Sequence, residues 1–100
     1  QDYVKGVVGA FASDPRVLAW DLWNEPNNTN GGSYARVEPK SKVELVLALL
    51  PQVFAWARSA NPTQPLTSGI WEGDDWSVPA NLDAMRRVQL DNSDVITFHN

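Results

Sequence analysis

Polar or aromatic side chains follow three short apolar stretches of the sequence. The pairs at these points are Asn24-Glu25, Trp71-Glu72 and Phe98-His99. Carboxyl groups transfer protons, amides hydrogen-bond a substrate, and indole rings stack on flat apolar faces. In parallel α/β folds, the carboxyl ends of the strands hold the active site. If the three stretches are parallel strands, these pairs predict one shared site.

Glu25 is the sharpest candidate among these residues. It shares strand parity with Asp21 and Trp23, so its side chain would project in the same direction as theirs. A carboxyl group beside indole rings is poorly solvated, which raises its pKa and suits it to donate a proton. The alternative is a solvated loop residue before the turn-forming Pro26, and the spacing by itself favours this alternative.

His99 and two tryptophans are weaker candidates. His99 is either a contact to the substrate or to a catalytic nucleophile, or a half-buried residue at a strand end. Trp71 and Trp76 flank an acidic loop, where an indole ring serves either as a platform for a flat apolar face of a ligand or as a packing residue. The acidic pair in that loop lacks further oxygen ligands, so we expect neither a metal ion nor another cofactor.

The elements that must position these residues alternate between helix and strand. Apolar residues repeat at helical spacing over 4–12, 41–59 and 80–90, and short apolar stretches over 17–23, 66–71 and 95–99 predict strands. The order α-β-α-β-α-β predicts an α/β fold in which helices connect parallel strands. A doubly wound sheet and a (β/α)8 barrel both produce this order.

The second helix carries two local signals. Ser41 and Glu44 fit a capping box, in which each side chain bonds a free backbone amide of the first turn. The apolar positions that share one face are Val43, Val46, Leu47, Leu50, Phe54 and Ala57. Because they stay in phase on both sides of Pro51, we expect a kinked helix rather than two helices.

Composition excludes several classes of partner and site. The 100 residues are 43% hydrophobic and 20% charged, which is typical of globular proteins. Eight basic and twelve acidic residues give a net charge of -4 and form no basic patch, which argues against nucleic-acid binding. No apolar stretch reaches the roughly 20 residues of a membrane-spanning helix, and the lack of cysteine excludes disulfides and zinc–thiolate sites.

The sequence VLAWDLWNEP, residues 17–26, resembles the fourth-strand signature of clan A glycoside hydrolases, and most of all the cellulase-like family 5. In that clan an apolar strand ends in Asn-Glu-Pro, and a stretch like Asp14-Pro15-Arg16 commonly precedes it. The stretch 97–100 resembles the sixth strand, where a His-x-Tyr pattern lines the sugar site, with the tyrosine position just after Asn100. The resemblance covers essentially the whole chain, as about three of eight βα units.

This resemblance implies that residues 1–100 are the central part of a glycoside hydrolase catalytic domain, a fragment of a (β/α)8 TIM barrel. Glu25 would be the general acid/base in the retaining hydrolysis of a β-linked glycan, and Asn24 would bond the sugar 2-hydroxyl. His99 and Trp71 would contact the oligosaccharide or polysaccharide substrate. The nucleophile would be a glutamate on the seventh strand, outside this chain, since neither Glu38 nor Glu72 matches that position.

The two ends of the chain look cut, because it starts at Gln1 without a signal peptide and stops inside a predicted strand. We therefore expect an internal piece of a longer protein, which the resemblance would place outside the cell or in the periplasm. Two alternatives stay open. One is a carbohydrate-binding protein that kept the fold and lost the chemistry, and the other is a doubly wound α/β domain with unrelated chemistry.

Overall fold

Helices and short strands alternate along the chain, as the sequence predicts. The computed structural model describes residues 1–29, 31–71 and 75–99. In these ranges the helices are α1 (Asp2–Ala10), α2 (Lys42–Ser59) and α3 (Ala84–Asn92), and the strands are β1 (Trp20–Asp21) and β2 (Leu66–Thr67). Short 3-10 turns at Ala35–Val37 and Pro79–Asn81 precede α2 and α3. The described chain is thus an α/β fold with a two-stranded parallel sheet.

The sheet follows the order of the chain. Trp20 lies opposite Leu66 and Asp21 lies opposite Thr67 in the parallel pair of β1 and β2. Further along, Ile70 forms a parallel bridge with Phe98, and the Ile70 amide donates to the Thr97 carbonyl at 2.9 Å. Segments that follow one another in sequence are therefore neighbours in the sheet, with one helix in each connection, which is the arrangement that alternating elements predict.

The strands are shorter than predicted. Regular pairing is confined to β1, β2 and the Ile70–Phe98 bridge, whereas the apolar stretches 17–23, 66–71 and 95–99 predicted longer strands. Apolar composition reports burial, but a strand also needs an unbroken ladder of hydrogen bonds to a neighbour. The ladder between the first two segments slips by one residue after Leu22, which ends the regular pairing there.

The hydrophobic core is centred on α2, which packs against both α1 and α3. The buried residues of the cluster are Val8, Val46, Leu50, Phe54, Ala57, Leu66 and Met85. Leu50 and Phe54 are 0% and 1% exposed, so both contribute close to their full transfer free energy, about 1.5–3 kcal/mol each. The prediction that Val43 belongs to this face is wrong: Val43 is 49% exposed, because the buried face of α2 begins only at Val46.

Helix α2 runs without interruption through Pro51, so the expectation of one helix rather than two is confirmed. The capping box predicted at its start does not form. Ser41 is the N-cap residue but its side chain makes no capping hydrogen bond, and Lys42 instead pairs with Glu38 of the preceding segment. None of the helices in the described part of the chain is long and apolar enough to cross a membrane.

Helix α3 starts at Ala84 instead of residue 80. Residues Pro79–Asn81 form a separate 3-10 turn, and Leu82 has an extended backbone that ends it. Asp83 then caps α3, since its side chain accepts a hydrogen bond from the Arg86 amide at 2.7 Å. An aspartate in this position satisfies one of the free amides of the first turn, which fixes the start of the helix.

Two side-chain networks join elements that are distant in sequence. The amide of buried Gln64 donates to the Phe11 and Asp14 carbonyls and accepts from the Trp20 indole, which ties the α1–β1 connection to the segment before β2. Arg58 pairs with Asp94 at 3.0 Å, and Asp94 also accepts from the Leu66 amide. The hydrogen bonds from Arg58, and then from Leu66, lower the pKa of the Asp94 carboxyl.

Candidate functional site

Glu25 lies at the carboxyl end of the first strand segment, in a tight turn. We call residues 25–28 the Glu25 turn: the Asn28 amide donates to the Glu25 carbonyl at 2.9 Å, and Pro26 between them is fully buried. Glu25 has φ 47°, in the left-handed region that disfavours residues other than glycine, and the residue before a proline is restricted further. Such strain persists only where the surroundings hold it, which here are the turn and the sheet.

A one-residue slip in the sheet ladder sets the direction of Glu25. The amides of Trp20 and Leu22 donate to the Pro65 and Thr67 carbonyls, so regular pairing would bring Asn24 to Gly69. Instead the Glu25 amide donates to the Gly69 carbonyl at 2.9 Å. The extra residue interrupts the two-residue alternation, as a bulge does, so the predicted shared parity of Glu25 with Asp21 and Trp23 does not hold.

Each oxygen of the Glu25 carboxylate has a polar partner. The Asn28 side-chain amide donates to Oε2 at 2.6 Å, and the His99 Nδ1 contacts Oε1. The hydrogen bond from Asn28, and then that from His99, lower the pKa of Glu25, while partial burial opposes them more weakly. The predicted rise in the pKa of Glu25 is therefore wrong, because hydrogen bonds to the charged form outweigh the effect of apolar neighbours.

His99 reaches Glu25 across 74 positions of sequence. Its amide donates to the Ile70 carbonyl at 3.0 Å, which aligns the third segment with the other two, and its side chain is 54% exposed. The structure thus brings together two of the predicted site residues, Glu25 from the end of the first strand segment and His99 from the end of the third.

Asn24 lies against Gly69, and the fit requires a glycine. A Cβ at position 69 would overlap the Asn24 side-chain oxygen and stand 3.0 Å from the Asp21 carboxylate. The Gly69 amide also donates to Asp21 at 3.3 Å. Asn24 is itself exposed, so its amide is accessible beside Glu25.

The tryptophans divide between packing and the site. Trp71 is half-buried next to buried Ile70, and it does not line the cleft that opens beside Glu25, so the structure does not join Trp71 to Glu25. Trp76 packs edge-on against Phe98, with ring centroids 5.0 Å apart, which is the packing role. Trp23 both packs against the core and lines the cleft. Glu72, between these segments, lies outside the described residues.

A cleft of about 570 Å³ opens beside the Glu25 turn. Its lining includes Trp23, Asn24, Glu25, Pro26, Asn28, Tyr34, Glu38 and Lys42. Its volume is within the range of small-molecule sites. Lys42 pairs with Glu38 and donates to the Asn28 carbonyl, so the start of α2 is tied to the turn.

The sequence predictions missed two residues that position the site, Asn28 and Gln89. Asn28 had a signal that was available: proline in the second position of a four-residue turn brings the fourth residue back to the first. For Gln89 we recognise no signal in the sequence. It is 1% exposed on α3 and donates to the Gly69 carbonyl at 3.0 Å, behind the Glu25 amide that bonds the same oxygen. A polar residue on a helical face gives no hint in sequence of such a distant partner.

Chemically, the site offers a carboxylate and an imidazole in contact beside an open cleft, which suits proton transfer or the binding of hydroxyl groups. Among residues 1–29, 31–71 and 75–99, no group of three or more histidine, aspartate or glutamate side chains is placed to hold a metal ion. Comparisons with protein family models, with curated proteins and with solved structures find no match for this chain.

Proposed function

We propose that the chain is the central part of a (β/α)8 glycoside hydrolase domain, which cleaves a β-linked oligosaccharide or polysaccharide with retention of configuration. The observation that carries the proposal is the contact of the Glu25 carboxylate with His99, at the carboxyl ends of two parallel segments and beside the cleft. This is where catalytic groups lie in such barrels. Its residues are those of the resemblance, with Glu25 in the Asn-Glu-Pro motif and His99 in the third segment.

The packing of the helices is compatible with the proposed barrel. Helix α2 packs against both α1 and α3, and consecutive strand segments are neighbours. In a barrel, successive helices form one outer ring, and the same packing occurs within one half of a doubly wound sheet, so the motif around Glu25 rather than the packing favours the barrel.

In the proposed reaction, Glu25 protonates the glycosidic oxygen as the bond breaks, and a second carboxylate attacks the sugar. Glu25 then takes a proton from the water that releases the sugar from the enzyme. The second carboxylate would come from a part of the barrel outside residues 1–100. Retaining enzymes place their two catalytic carboxyl groups roughly 5–5.5 Å apart. At that distance the negative charge of the second carboxylate would raise the pKa of Glu25, whereas the hydrogen bonds from Asn28 and His99 lower it.

Asn24 and the cleft would hold the substrate. The exposed Asn24 amide would bond the 2-hydroxyl of the sugar at the cleavage point, an interaction that strengthens in the transition state. Trp23 would offer an aromatic face in the cleft, which suits the apolar face of a sugar ring. Trp71 would contact substrate elsewhere, since it does not line this cleft.

A second candidate is a protein that binds carbohydrate without cleaving it. The lowered pKa of Glu25 favours this candidate, because a carboxylate that stays ionised accepts hydrogen bonds from sugar hydroxyls but does not donate a proton.

The Glu25→Ala variant of the full-length protein separates the two. For a hydrolase, turnover of a natural oligosaccharide should fall by roughly 10²–10⁴-fold, since the poor leaving group needs a proton. An activated aryl glycoside should still form the glycosyl-enzyme, and azide should then accelerate its release and give a β-glycosyl azide. Glu38→Gln is the matched control, because Glu38 is a carboxylate of the same cleft and should show no azide effect.

Two results would overturn the assignment of Glu25. The first is an equal loss on both substrates with no response to azide. The second is oligosaccharide binding by a wild-type protein that hydrolyses no glycoside, which would leave the binding protein as the function.

A further inference from the structure

Asn28 occupies a position that the resemblance assigns no role. Its backbone amide closes the Glu25 turn, and its side-chain amide donates to Glu25 Oε2 at 2.6 Å. The other oxygen, Oε1, faces His99. The two oxygens of one carboxylate therefore have different partners, one from its own turn and one from the far end of the chain.

Asn28 is itself held by helix α2. The Lys42 ammonium donates to the Asn28 carbonyl and pairs with Glu38, and both of these charged side chains are largely buried, with 24% and 22% exposure. This contact closes the segment between the turn and α2, so the position of the Asn28 side chain depends on the first residue of that helix.

We propose that Asn28 is a positioning residue, which fixes Glu25 Oε2 from within the turn so that Oε1 is the oxygen that exchanges protons, with Lys42 bracing Asn28 from α2. The inference rests on the proposed function. It goes beyond that function because it assigns different tasks to the two carboxylate oxygens and extends the site to the start of α2.

The chemistry of an amide supports this division. An amide N–H donates only, so it bonds a lone pair of Oε2 and cannot receive a proton from it. His99 can accept or donate, so Oε1 can exchange its partner when a glycosidic oxygen arrives. The hydrogen bond from Asn28 is also the largest cause of the lowered pKa of Glu25. Among the residues that the structure describes, the other charged or titratable groups that contact this turn or line the cleft beside it are His99, Lys42, Glu38 and Tyr34.

The test is a pH titration of the Glu25 carboxyl carbon by ¹³C NMR in the full-length protein, with Glu25→Gln to assign the signal. Asn28→Ala removes the donor, so the Glu25 titration should move to higher pH. Asn28→Asp keeps the shape but replaces the donor with a like charge, so the shift should be larger still. If Asn28 acts only through the backbone amide that closes the turn, Asn28→Ala should leave the Glu25 titration in place, because alanine retains that amide.

Asn27→Ala is the matched control, because Asn27 is the neighbouring amide in the same turn and should leave the Glu25 titration in place. Lys42→Met should shift the titration in the same direction as Asn28→Ala and by less. Thermal melts of each variant show that it is folded, and Asn28→Asp decides the question if Asn28→Ala does not fold.

Activity gives a second readout. With Asn28→Ala, kcat on a natural oligosaccharide should fall roughly 10- to 100-fold with little change in KM, because the misplaced carboxyl matters only in the transition state. The alkaline limb of kcat/KM should move with the NMR titration.

The outcomes separate this inference from the proposed function. Titration shifts in a protein that hydrolyses no glycoside would uphold the Asn28 contact and refute the hydrolase. A hydrolase that depends on Glu25, but whose Glu25 titrates identically in the wild type, Asn28→Ala and Asn28→Asp, would refute the role of Asn28.

Discussion

Single residues at the site are held by close contacts between backbone and side chain. Gly69 shows this most directly, because its carbonyl bonds the Glu25 amide while its Cα faces the Asn24 side chain. Any larger residue there must displace Asn24, since a Cβ would overlap the amide oxygen.

Gly69→Ala should therefore destabilise the fold and disturb the site together. We expect a loss of about 1–3 kcal/mol in the free energy of unfolding, as for other overpacked positions. In the full-length protein, kcat/KM should fall because Asn24 moves. Chemical denaturation and steady-state kinetics measure the two effects.

Gly6→Ala is the control for the Gly69 substitution. A Cβ at position 6 meets nothing within 4 Å, and Gly6 lies inside α1, so alanine should stabilise the helix by about 0.5–1 kcal/mol and leave kinetics unchanged. A Gly69→Ala protein as stable and active as the wild type would show that Asn24 has room to move.

At the scale of elements, helix α3 supports the site from behind. Gln89 bonds the Ser68 hydroxyl as well as the Gly69 carbonyl, and that hydroxyl donates to the Trp23 carbonyl at 2.6 Å. The position of Gln89 depends on where α3 begins, and Asp83 sets that point by capping the Arg86 amide.

Asp83→Ala should thus destabilise the protein by roughly 0.5–2 kcal/mol, the usual cost of losing an N-cap. Ser41→Ala at the start of α2 should cost less than about 0.5 kcal/mol, since the Ser41 side chain makes no capping bond. Urea denaturation of the Asp83→Ala and Ser41→Ala variants measures the loss of unfolding free energy in each. Equal losses would mean that Ser41 caps α2 in solution after all.

At the scale of the whole molecule, the sheet is open at both edges. Within residues 1–29, 31–71 and 75–99, neither β1 nor the segment around Phe98 pairs with a further strand on its outer side. Large apolar side chains are exposed near both edges, with Leu18 at 90% and Ile96 at 56%. Unpaired edges with apolar side chains favour association with other chains.

Residues 1–100 produced alone should therefore self-associate or form a molten state, and show no hydrolysis. Leu18→Lys and Ile96→Lys should increase the monomer fraction in light scattering, because a charge at an edge opposes pairing. Tyr3→Lys is the control, since Tyr3 is 81% exposed but lies in helix α1 rather than in a strand segment. A monomeric wild-type segment with a sharp thermal transition would contradict this prediction.

The sequence by itself determined the element order and most of the core. Helical periodicity predicted the ends of α1 and α2 to within about two residues, because the buried positions of a helix repeat at a fixed spacing. The same spacing correctly predicted that α2 continues past Pro51. The same periodicity misplaced Val43 and the start of α3, where caps and packing decide the ends. The motif around Glu25 and the position of His99 were likewise visible as patterns.

Only the tertiary structure decided how these residues meet. The slip in the ladder at Gly69 and the left-handed backbone of Glu25 turn its carboxylate towards Asn28 and His99. These contacts reversed the expected direction of its pKa shift. Local sequence records which side chains are apolar or charged, but a pKa depends on hydrogen-bond partners, and one of these lies 74 positions away.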